Sequence, residues 1–564
     1  MTVTTLKSTA HDRFAAHSNM LLDYANRIYL IAALVVVLIL LVCGRLFLLV
    51  QVSAYSKDTA VRELETVASR RDIVDRNGSI LATNLMTGSL YANPKEITNP
   101  RMVANKIHKI FPELDKKKLL NKLQSQKSFV WVKRNVTPAQ QQKFLQLGLV
   151  GVYIERSEKR AYIHGRTTGH LLGFTSIDMQ GRSGIERFFD KELVGYGKPL
   201  ALSVDIRVQN IVHEVLGEAI KTFSAEGGTA VMIDVESGEI IAMVSFPDFD
   251  PHMVTQNSKA AMFNMATQGI YELGSIFKVF TTVAAFESGA VKLSDQFDAT
   301  KAIKIGKFRV GDYRGKNRWL SVPEIFIYSS NIGAMKMLLE MGKDKLQETY
   351  QKLGLFEPLV GLEFGEIAQP SLTGHWSEAR ALTASYGYGV ATTPLHFLRA
   401  LAAVVNGGKL INPTFVKGNP GRIEQRVISE KTSRTIRKLM YKAALQGTSR
   451  RSRVNGYMVG GKTGSANKII DGKYDKKKHL ASVTTIFPMN KPRYAMLITL
   501  DAPQGTKETH GFSTGGWTAA PVAAKIIEQA GPLLGVLPVD ENDEVIQKAM
   551  YVKVEYDNEK RALG

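Results

Sequence analysis

Three short motifs lie far apart in this chain, and they make chemical sense only if the fold brings them to one place. They are Tyr271-Glu272-Leu273-Gly274-Ser275-Ile276-Phe277-Lys278, Ser329-Ser330-Asn331 and Lys462-Thr463-Gly464-Ser465, in that order. About 50 residues separate Lys278 from Ser329 and about 130 separate Asn331 from Lys462, room for a helical subdomain and a return to a sheet. A serine hydroxyl is a poor nucleophile at neutral pH, so it needs a base within hydrogen-bond reach and donors aimed at the oxygen that becomes negative. Ser275 and Lys278, three apart, share one face of a helix, so spacing alone makes them partners. Lys278 must be largely neutral to accept a proton, which burial among Ile276, Phe277, Val279 and Phe280 and a second cation nearby would favour.

Lys462 is the candidate for that second cation. Ser329 is placed to pass a proton between the bases and a leaving amine, and Asn331 to hold a substrate amide. Gly464 has no side chain, so an extended peptide could approach that backbone closely, as a ligand does when it pairs with a sheet edge. Thr463 and Ser465 add hydroxyls for a substrate carboxylate. Taken singly each motif is ordinary in 564 residues. The ordered set is what describes an acyl-transferase with an active-site serine.

A rival reading sits on the third motif, because Gly456 to Thr463 formally matches the phosphate-binding pattern G-x-x-x-x-G-K-[ST], and Tyr494 to Asp501 could pass for a strand ending in a magnesium-binding aspartate. A true phosphate loop follows a buried apolar strand and opens a helix. Here Arg450-Arg451-Ser452-Arg453-Val454-Asn455 precedes it, and a polar connection with Asp471-Gly472 as a turn signal follows, which predicts a hairpin.

From Ile28 to Val50 the chain is almost wholly apolar, long enough to span a bilayer, with Arg45 near one end where its guanidinium can reach the interface. Val52-Ser53-Ala54 faintly resembles a cleavage site, but the apolar core is too long for a signal peptide, so an uncleaved anchor is expected. The slight basic excess of the first 27 residues favours a cytoplasmic N-terminus, with everything from about residue 51 outside the inner membrane. The one cysteine, Cys43, lies in that span, so no intramolecular disulfide can form. The net charge of +21 suggests anionic surroundings, yet no zinc spacing, aromatic RNA-binding signature or arginine stripe supports nucleic acid. Basic clusters such as Lys116-Lys117-Lys118 and Lys476-Lys477-Lys478 fit a solvated surface facing anionic lipid or cell-wall polymer.

The expected fold class is mixed α/β (α+β). A cytoplasmic arm, 1–27, leads into a single transmembrane helix, 28–50, and then an elongated pedestal domain, 51–200, that holds none of the catalytic set. The catalytic domain, 201–535, has a mostly antiparallel sheet flanked by helices: Thr229–Val235 and Glu239–Val244 flank the turn Glu236-Ser237-Gly238, Ala481–Phe487 and Tyr494–Leu500 form a second strand pair, and Ala519–Ala530 closes as a helix. The acidic tail, 536–564, is expected to be flexible or weakly docked.

With these motifs in place, the chain resembles the class B penicillin-binding proteins, membrane-anchored transpeptidases that cross-link peptidoglycan, from about residue 28 to 530. The likeness includes Asp75-Arg76-Asn77-Gly78-Ser79-Ile80-Leu81-Ala82, the run from Glu155 through Arg160-Ala161-Tyr162 to His170-Leu171-Leu172-Gly173-Phe174, Gly181 to Glu186, Tyr386-Gly387-Tyr388-Gly389, Thr393-Pro394 and Asn406-Gly407-Gly408. The pedestal wording is most like the septal branch, with the elongation branch as the alternative. The resemblance implies that Ser275 attacks the carbonyl between two D-alanines of a pentapeptide stem, Lys278 takes its proton, and the acyl group passes to an amine on a neighbouring stem. Ser329 would relay protons, Asn331 bind the amide, Lys462 and Thr463 hold the terminal carboxylate, and the backbone N–H groups of Ser275 and Ser465 form the oxyanion hole. It also implies β-lactam inhibition, a membrane glycan polymerase and other division proteins as partners, and no metal or organic cofactor.

The sequence departs from the family at Leu273, usually proline, Ser465, usually threonine, Arg71, usually glycine, and Ile163, usually proline. Ser465 keeps the hydroxyl, and Arg71 and Ile163 bear on pedestal geometry more than on catalysis. His164 and His170 lie in the pedestal stretch without a metal spacing and are expected to be structural. A β-lactamase would need a glutamate to activate water, and no Glu-x-x-Leu-Asn stretch follows Asn331. A non-catalytic scaffold would tolerate loss of the base, yet Lys278, Asn331 and Lys462 are all present.

Overall fold

The computed structural model describes residues 30, 32–45, 69–255, 258–372, 374–419 and 423–552. The expected arm 1–27, the ends of the expected membrane span and the tail from 553 lie outside the described residues. Residues 32–45 are helical with their apolar side chains exposed. Among the described residues no helix is long and apolar enough by itself to cross a membrane.

The pedestal is organised by one long strand. Strands β1 (Ile73–Val74), β2 (Ile80–Ala92), β3 (Val130–Val136), β4 (Val152–Tyr162) and β5 (Leu200–Ala201) form one sheet, in which β2 pairs antiparallel with β1, β3 and β4. Helices α1 (Pro100–Ile110), α2 (Lys116–Leu123) and α3 (Pro138–Leu145) are capped by Asn99, Asp115 and Thr137, whose side chains accept first-turn N–H groups. They bury Val103, Ile107, Leu119, Leu123 and Phe144 against the far end of β2 in a core of their own. The near end belongs elsewhere: Ile73, Leu81, Tyr162, Leu171 and Ile185 share a core with Val231 and Ile233 of the catalytic sheet. Packing therefore does not break at residue 200, where the sequence suggests a boundary. Asp75 ties this seam, accepting the N–H groups of Asn77 and Ser79 at 2.8 Å each and of Ile206 at 3.1 Å.

A buried ionic group locks the same region. Glu186, with no exposed surface, accepts from Arg70 Nε at 2.6 Å and from Arg160 Nε at 2.7 Å, and Arg70 also meets Asp190 at 2.8 Å. Arg71, the departure from the family pattern, is accommodated because Gly197 is bare: a Cβ there would lie 3.1 Å from Arg71 Cδ.

Helix α4 (Ile206–Thr222) leads into β6 (Gly227–Asp234) and β7 (Ile240–Phe246), the expected hairpin. A short 3-10 turn, Gly274–Phe277, precedes α5 (Lys278–Glu287), followed by α6 (Val322–Tyr328), α7 (Asn331–Met341), α8 (Pro394–Val405) and α9 (Glu430–Gln446). Strands β8 (Gly460–Ile470), β9 (Lys473–Phe487) and β10 (Tyr494–Asp501) then complete an antiparallel sheet in the order β8-β9-β10-β6-β7, and α10 (Ala519–Leu533) closes it. Alternation along β6 explains its apolar run Ala230–Ile233. Val231 and Ile233 face a core with Phe277, Phe280 and Phe397 of α5, its leading turn and α8, while Ala230 and Met232 face Val212 of α4 and Ile526 of α10. With both faces covered, no polar side is needed. The tail departs from expectation up to residue 552: α11 (Glu544–Met550) forms, Met550 and Val552 are buried, and Glu541 accepts the Tyr441 hydroxyl at 3.1 Å.

Replacing Glu186 by alanine strands two buried guanidinium groups, so unfolding free energy should fall by about 3–5 kcal/mol. The surface pair Glu113–Lys133 is the control. Glu113→Ala should cost less than about 1 kcal/mol in the same denaturant titration.

Candidate active site

The edge strand β8 and the turn Gly274–Phe277 are pressed together, and the fit is made by glycines. A Cβ on Gly464 would lie 2.4 Å from the Leu273 carbonyl oxygen, and one on Gly274, whose φ is +60°, would lie 2.7 Å from the Ser465 carbonyl oxygen. Gly464 is therefore bare in order to seat the Gly274–Phe277 turn. The expectation that its missing side chain makes room for a peptide is corrected: that space is filled by Leu273 and Ile276. On its other side the turn meets the Tyr386–Gly389 segment, where the Gly387 carbonyl accepts the Gly274 N–H at 3.3 Å.

All three motifs converge. Lys278 Nζ lies 2.9 Å from Ser275 Oγ, 2.7 Å from the Ser329 carbonyl oxygen, 3.2 Å from Ser329 Oγ and 2.6 Å from Asn331 Oδ1. Lys462 Nζ reaches Ser329 Oγ at 2.8 Å and the Thr463 carbonyl at 3.1 Å. Both lysines are buried, at 1% and 0% exposure, while Ser275 is half-buried and open to an incoming ligand. Ser329 ends α6 in the left-handed region, φ +60° and ψ +43°, a strained conformation for a non-glycine residue that turns its carbonyl onto Lys278. Asn331 begins α7, and its Nδ2 donates to the Gly311 carbonyl at 3.1 Å. Thr463 Oγ1 donates to Thr448 Oγ1 at 2.7 Å, and Ser465 Oγ accepts the Gly515 N–H at 3.2 Å.

The partners of Lys278 fix what its neutral form can do. Two of them, a carbonyl and an amide oxygen, can only accept, so both N–H bonds of a neutral amine are spoken for and its lone pair is left for the Ser275 hydroxyl. Burial brings Lys278 down to about 7, opposed by the Asp312 carboxylate. Lys462 is driven well below the ordinary lysine range by burial and by the charge of Lys278. Burial and the neighbouring charge thus disfavour the protonated form of Lys462, and burial is the main influence that lowers Lys278.

Sequence reasoning misses Asp312, which sits on a loop without any motif. Its carboxylate accepts the N–H groups of Asn331 at 2.5 Å and Ile332 at 3.0 Å and the Ser330 hydroxyl at 2.6 Å, holding the start of α7. Glu272 is also missed: it accepts the Gly389 N–H at 2.7 Å and the Tyr474 hydroxyl at 3.0 Å, tying the β8–β9 hairpin to the turn that carries Ser275. The phosphate-loop rival fails on structure, since Lys462 lies within a strand followed by another strand, and Asp501 pairs with Lys468 at 2.6 Å. His170 is buried, its Nε2 2.8 Å from the Ala261 carbonyl, with its pKa held near 4 by burial.

A half-buried serine against a buried amine, on an antiparallel sheet covered by helices, defines a serine acyl-transferase. Residues 228–528 match the penicillin binding protein transpeptidase domain, and residues 65–205 match the penicillin-binding protein dimerisation domain. The chain is 34% identical to the probable peptidoglycan D,D-transpeptidase FtsI of Caulobacter vibrioides, over 83% of this chain and 82% of that one. It is 29% identical to peptidoglycan D,D-transpeptidase FtsI of Escherichia coli K12, over 83% and 84%, and 30% identical to stage V sporulation protein D of Bacillus subtilis, over 86% and 82%. A peptidoglycan synthetase from Bifidobacterium adolescentis shares the fold, with a TM-score of 0.65 at 23% identity over 85% of this chain and 98% of that one. The chain belongs to the class B penicillin-binding proteins and is a peptidoglycan D,D-transpeptidase, acting on stem peptides and binding β-lactams.

Lys278 with a pKa near 7 is an ammonium below that pH and a base above it. The rate of penicilloyl adduct formation on Ser275 should therefore rise about tenfold per pH unit below 7 and level off above it. Asp312→Asn removes the anion that favours the proton on Lys278, so the inflection should move to lower pH. A rate independent of pH through this range would contradict the assignment.

Proposed function

We propose that the chain cross-links stem peptides during septal cell-wall synthesis, with Ser275 as the nucleophile. The observation that carries this is the meeting of Ser275, Lys278, Ser329, Asn331 and Lys462 around two buried amines. Lys278 takes the Ser275 proton as Oγ attacks the carbonyl between the two D-alanines, and the backbone N–H groups of Ser275 and Ser465 receive the developing oxyanion. Asn331 holds the donor amide. Ser329, bridging the two amines, passes a proton towards the departing D-alanine. The arriving terminal carboxylate, beside Thr463 and Ser465, favours the protonated form of Lys462 that burial disfavours in the free site, because an anion repays part of the desolvation of the ammonium.

The apolar run 28–50 acts as a single-pass inner-membrane anchor, with the pedestal, 51–200, and the transpeptidase domain, 201–535, in the periplasm. The pedestal docks a membrane glycan polymerase and other division proteins, and the donor stem comes from a lipid-linked precursor or nascent glycan. The septal reading rests on the pedestal sequences 75–82 and 155–174, which resemble that branch.

Replacing the native copy by Ser275→Ala under controlled depletion should give filaments that elongate without completing septa. Swollen, rounded cells that still form septa would assign an elongation role instead. Undisturbed growth and shape would count against both.

A further inference from the structure

A column of alternating cations and aromatic rings stands beside the cleft, and the chemistry described so far does not use it. Arg451 Cζ lies 3.4 Å from the centre of the Trp517 ring, Trp517 stacks on Phe512 at 5.2 Å and 25°, and Arg314 Cζ lies 4.8 Å from the Phe512 ring. Lys316 lies over Tyr328, the neighbour of Ser329, at 4.6 Å. Three separate segments supply the column, and each is fastened to the active site. Arg314 is two residues from Asp312, the acceptor of the Asn331 N–H. Arg451 is three residues from Thr448, the acceptor of the Thr463 hydroxyl. Trp517 is two residues from Gly515, whose N–H donates to Ser465 Oγ. Gly516 lies against both threonines: a Cβ there would be 2.6 Å from the Thr448 carbonyl oxygen and 3.8 Å from Thr463 Cγ2.

These cations lack anions. Among the described residues Arg314, Arg450 and Arg451 have no ion pair, whereas Arg453, two residues from Arg451, meets Glu541. A guanidinium lying on an aromatic face keeps its in-plane N–H groups free, the geometry that grips a carboxylate with two parallel hydrogen bonds. The half-buried Arg451 beside Arg450 is a desolvated charge waiting for a counter-ion.

We propose that Arg451, Trp517, Phe512 and Arg314 form the acceptor subsite, where a carboxylate on the amine-bearing stem is held while that amine attacks the acyl-serine. The proposal rests on the reading of Ser275 as nucleophile and of Thr463 as holder of the terminal carboxylate. The column stands at the Thr463 end of β8, where the D-alanine leaves, and the incoming amine must enter the space it vacates. In the transfer the amine nitrogen forms a bond to the acyl carbon, the ester bond to Ser275 Oγ breaks with its electron pair returning to oxygen, and one proton passes from the amine to Ser275 through Lys278. Cations around the arriving amine also favour its neutral, nucleophilic form.

The test acylates the full chain in detergent with a small acyl-D-alanyl thioester and offers two acceptors, a D-amino acid and its amide, which differ only in the carboxylate. The ratio of transfer to hydrolysis is read within one acyl-enzyme, so it does not depend on how much protein folds or acylates. The unsubstituted protein should prefer the acid over the amide, and Arg451→Gln and Arg314→Gln should each reduce that preference roughly tenfold, the scale of one lost charge-assisted pair. Trp517→Leu, which removes the ring beneath Arg451, should act in the same direction. A preference unchanged in all three variants, or absent from the unsubstituted protein, would overturn the proposal. Failure of benzylpenicillin to label Ser275 would instead remove the nucleophile reading beneath it.

Discussion

One buried amine organises the catalytic half of this molecule. Lys278 Nζ is surrounded by Ser275 Oγ, two oxygens of Ser329 and Asn331 Oδ1, so the three motifs meet on a single nitrogen. Each partner comes from a different local device. Ser275 is delivered by the tight turn leading α5, the Ser329 carbonyl by a left-handed residue ending α6, and Asn331 by the first position of α7. Burial alone would favour the neutral amine, and Asp312 opposes it, which leaves Lys278 poised near 7 and not locked in either form.

The sheet exists to hold that arrangement still. Strand β8 lies at its edge, backed by β9 and β10 and by helices on both faces, so the edge facing the cleft is rigid while its backbone stays open on one side. The contact between β8 and the Gly274–Phe277 turn is closer than any Cβ would allow at Gly464 or Gly274. A shift of a few tenths of an ångström there would move Ser275 relative to the amine, and positioning errors of that kind are costly to catalysis. The pedestal is continuous with this frame through a shared core, so its buried Glu186 group stabilises a seam and not a separate appendage.

Much of this was legible in the sequence because it follows from short-range periodicity. Three-residue spacing put Lys278 beside Ser275, short apolar runs gave β6, β7, β9 and β10, with Glu236-Ser237-Gly238 as the turn between the first two, and Asp471-Gly472 gave the β8–β9 hairpin. What stayed hidden depends on segments meeting through space. Asp312 and Glu272 carry no local signature. Gly464 looked like room for a ligand because its neighbour, the Leu273 carbonyl, is 191 residues away in the chain. The burial of Lys462, which disfavours its charge, is likewise not reported by motif spacing. The apolar run 28–50 speaks clearly in sequence, and only its middle, 32–45 with residue 30, is described as helix.

The central claim is that burial makes Lys278 a base near neutrality. An NMR titration of lysine Cε resonances in the full chain, with Lys278 assigned through Lys278→Arg, tests it directly. The account predicts a midpoint near 7 for that resonance. A midpoint in the ordinary lysine range, near 10.5, would contradict it.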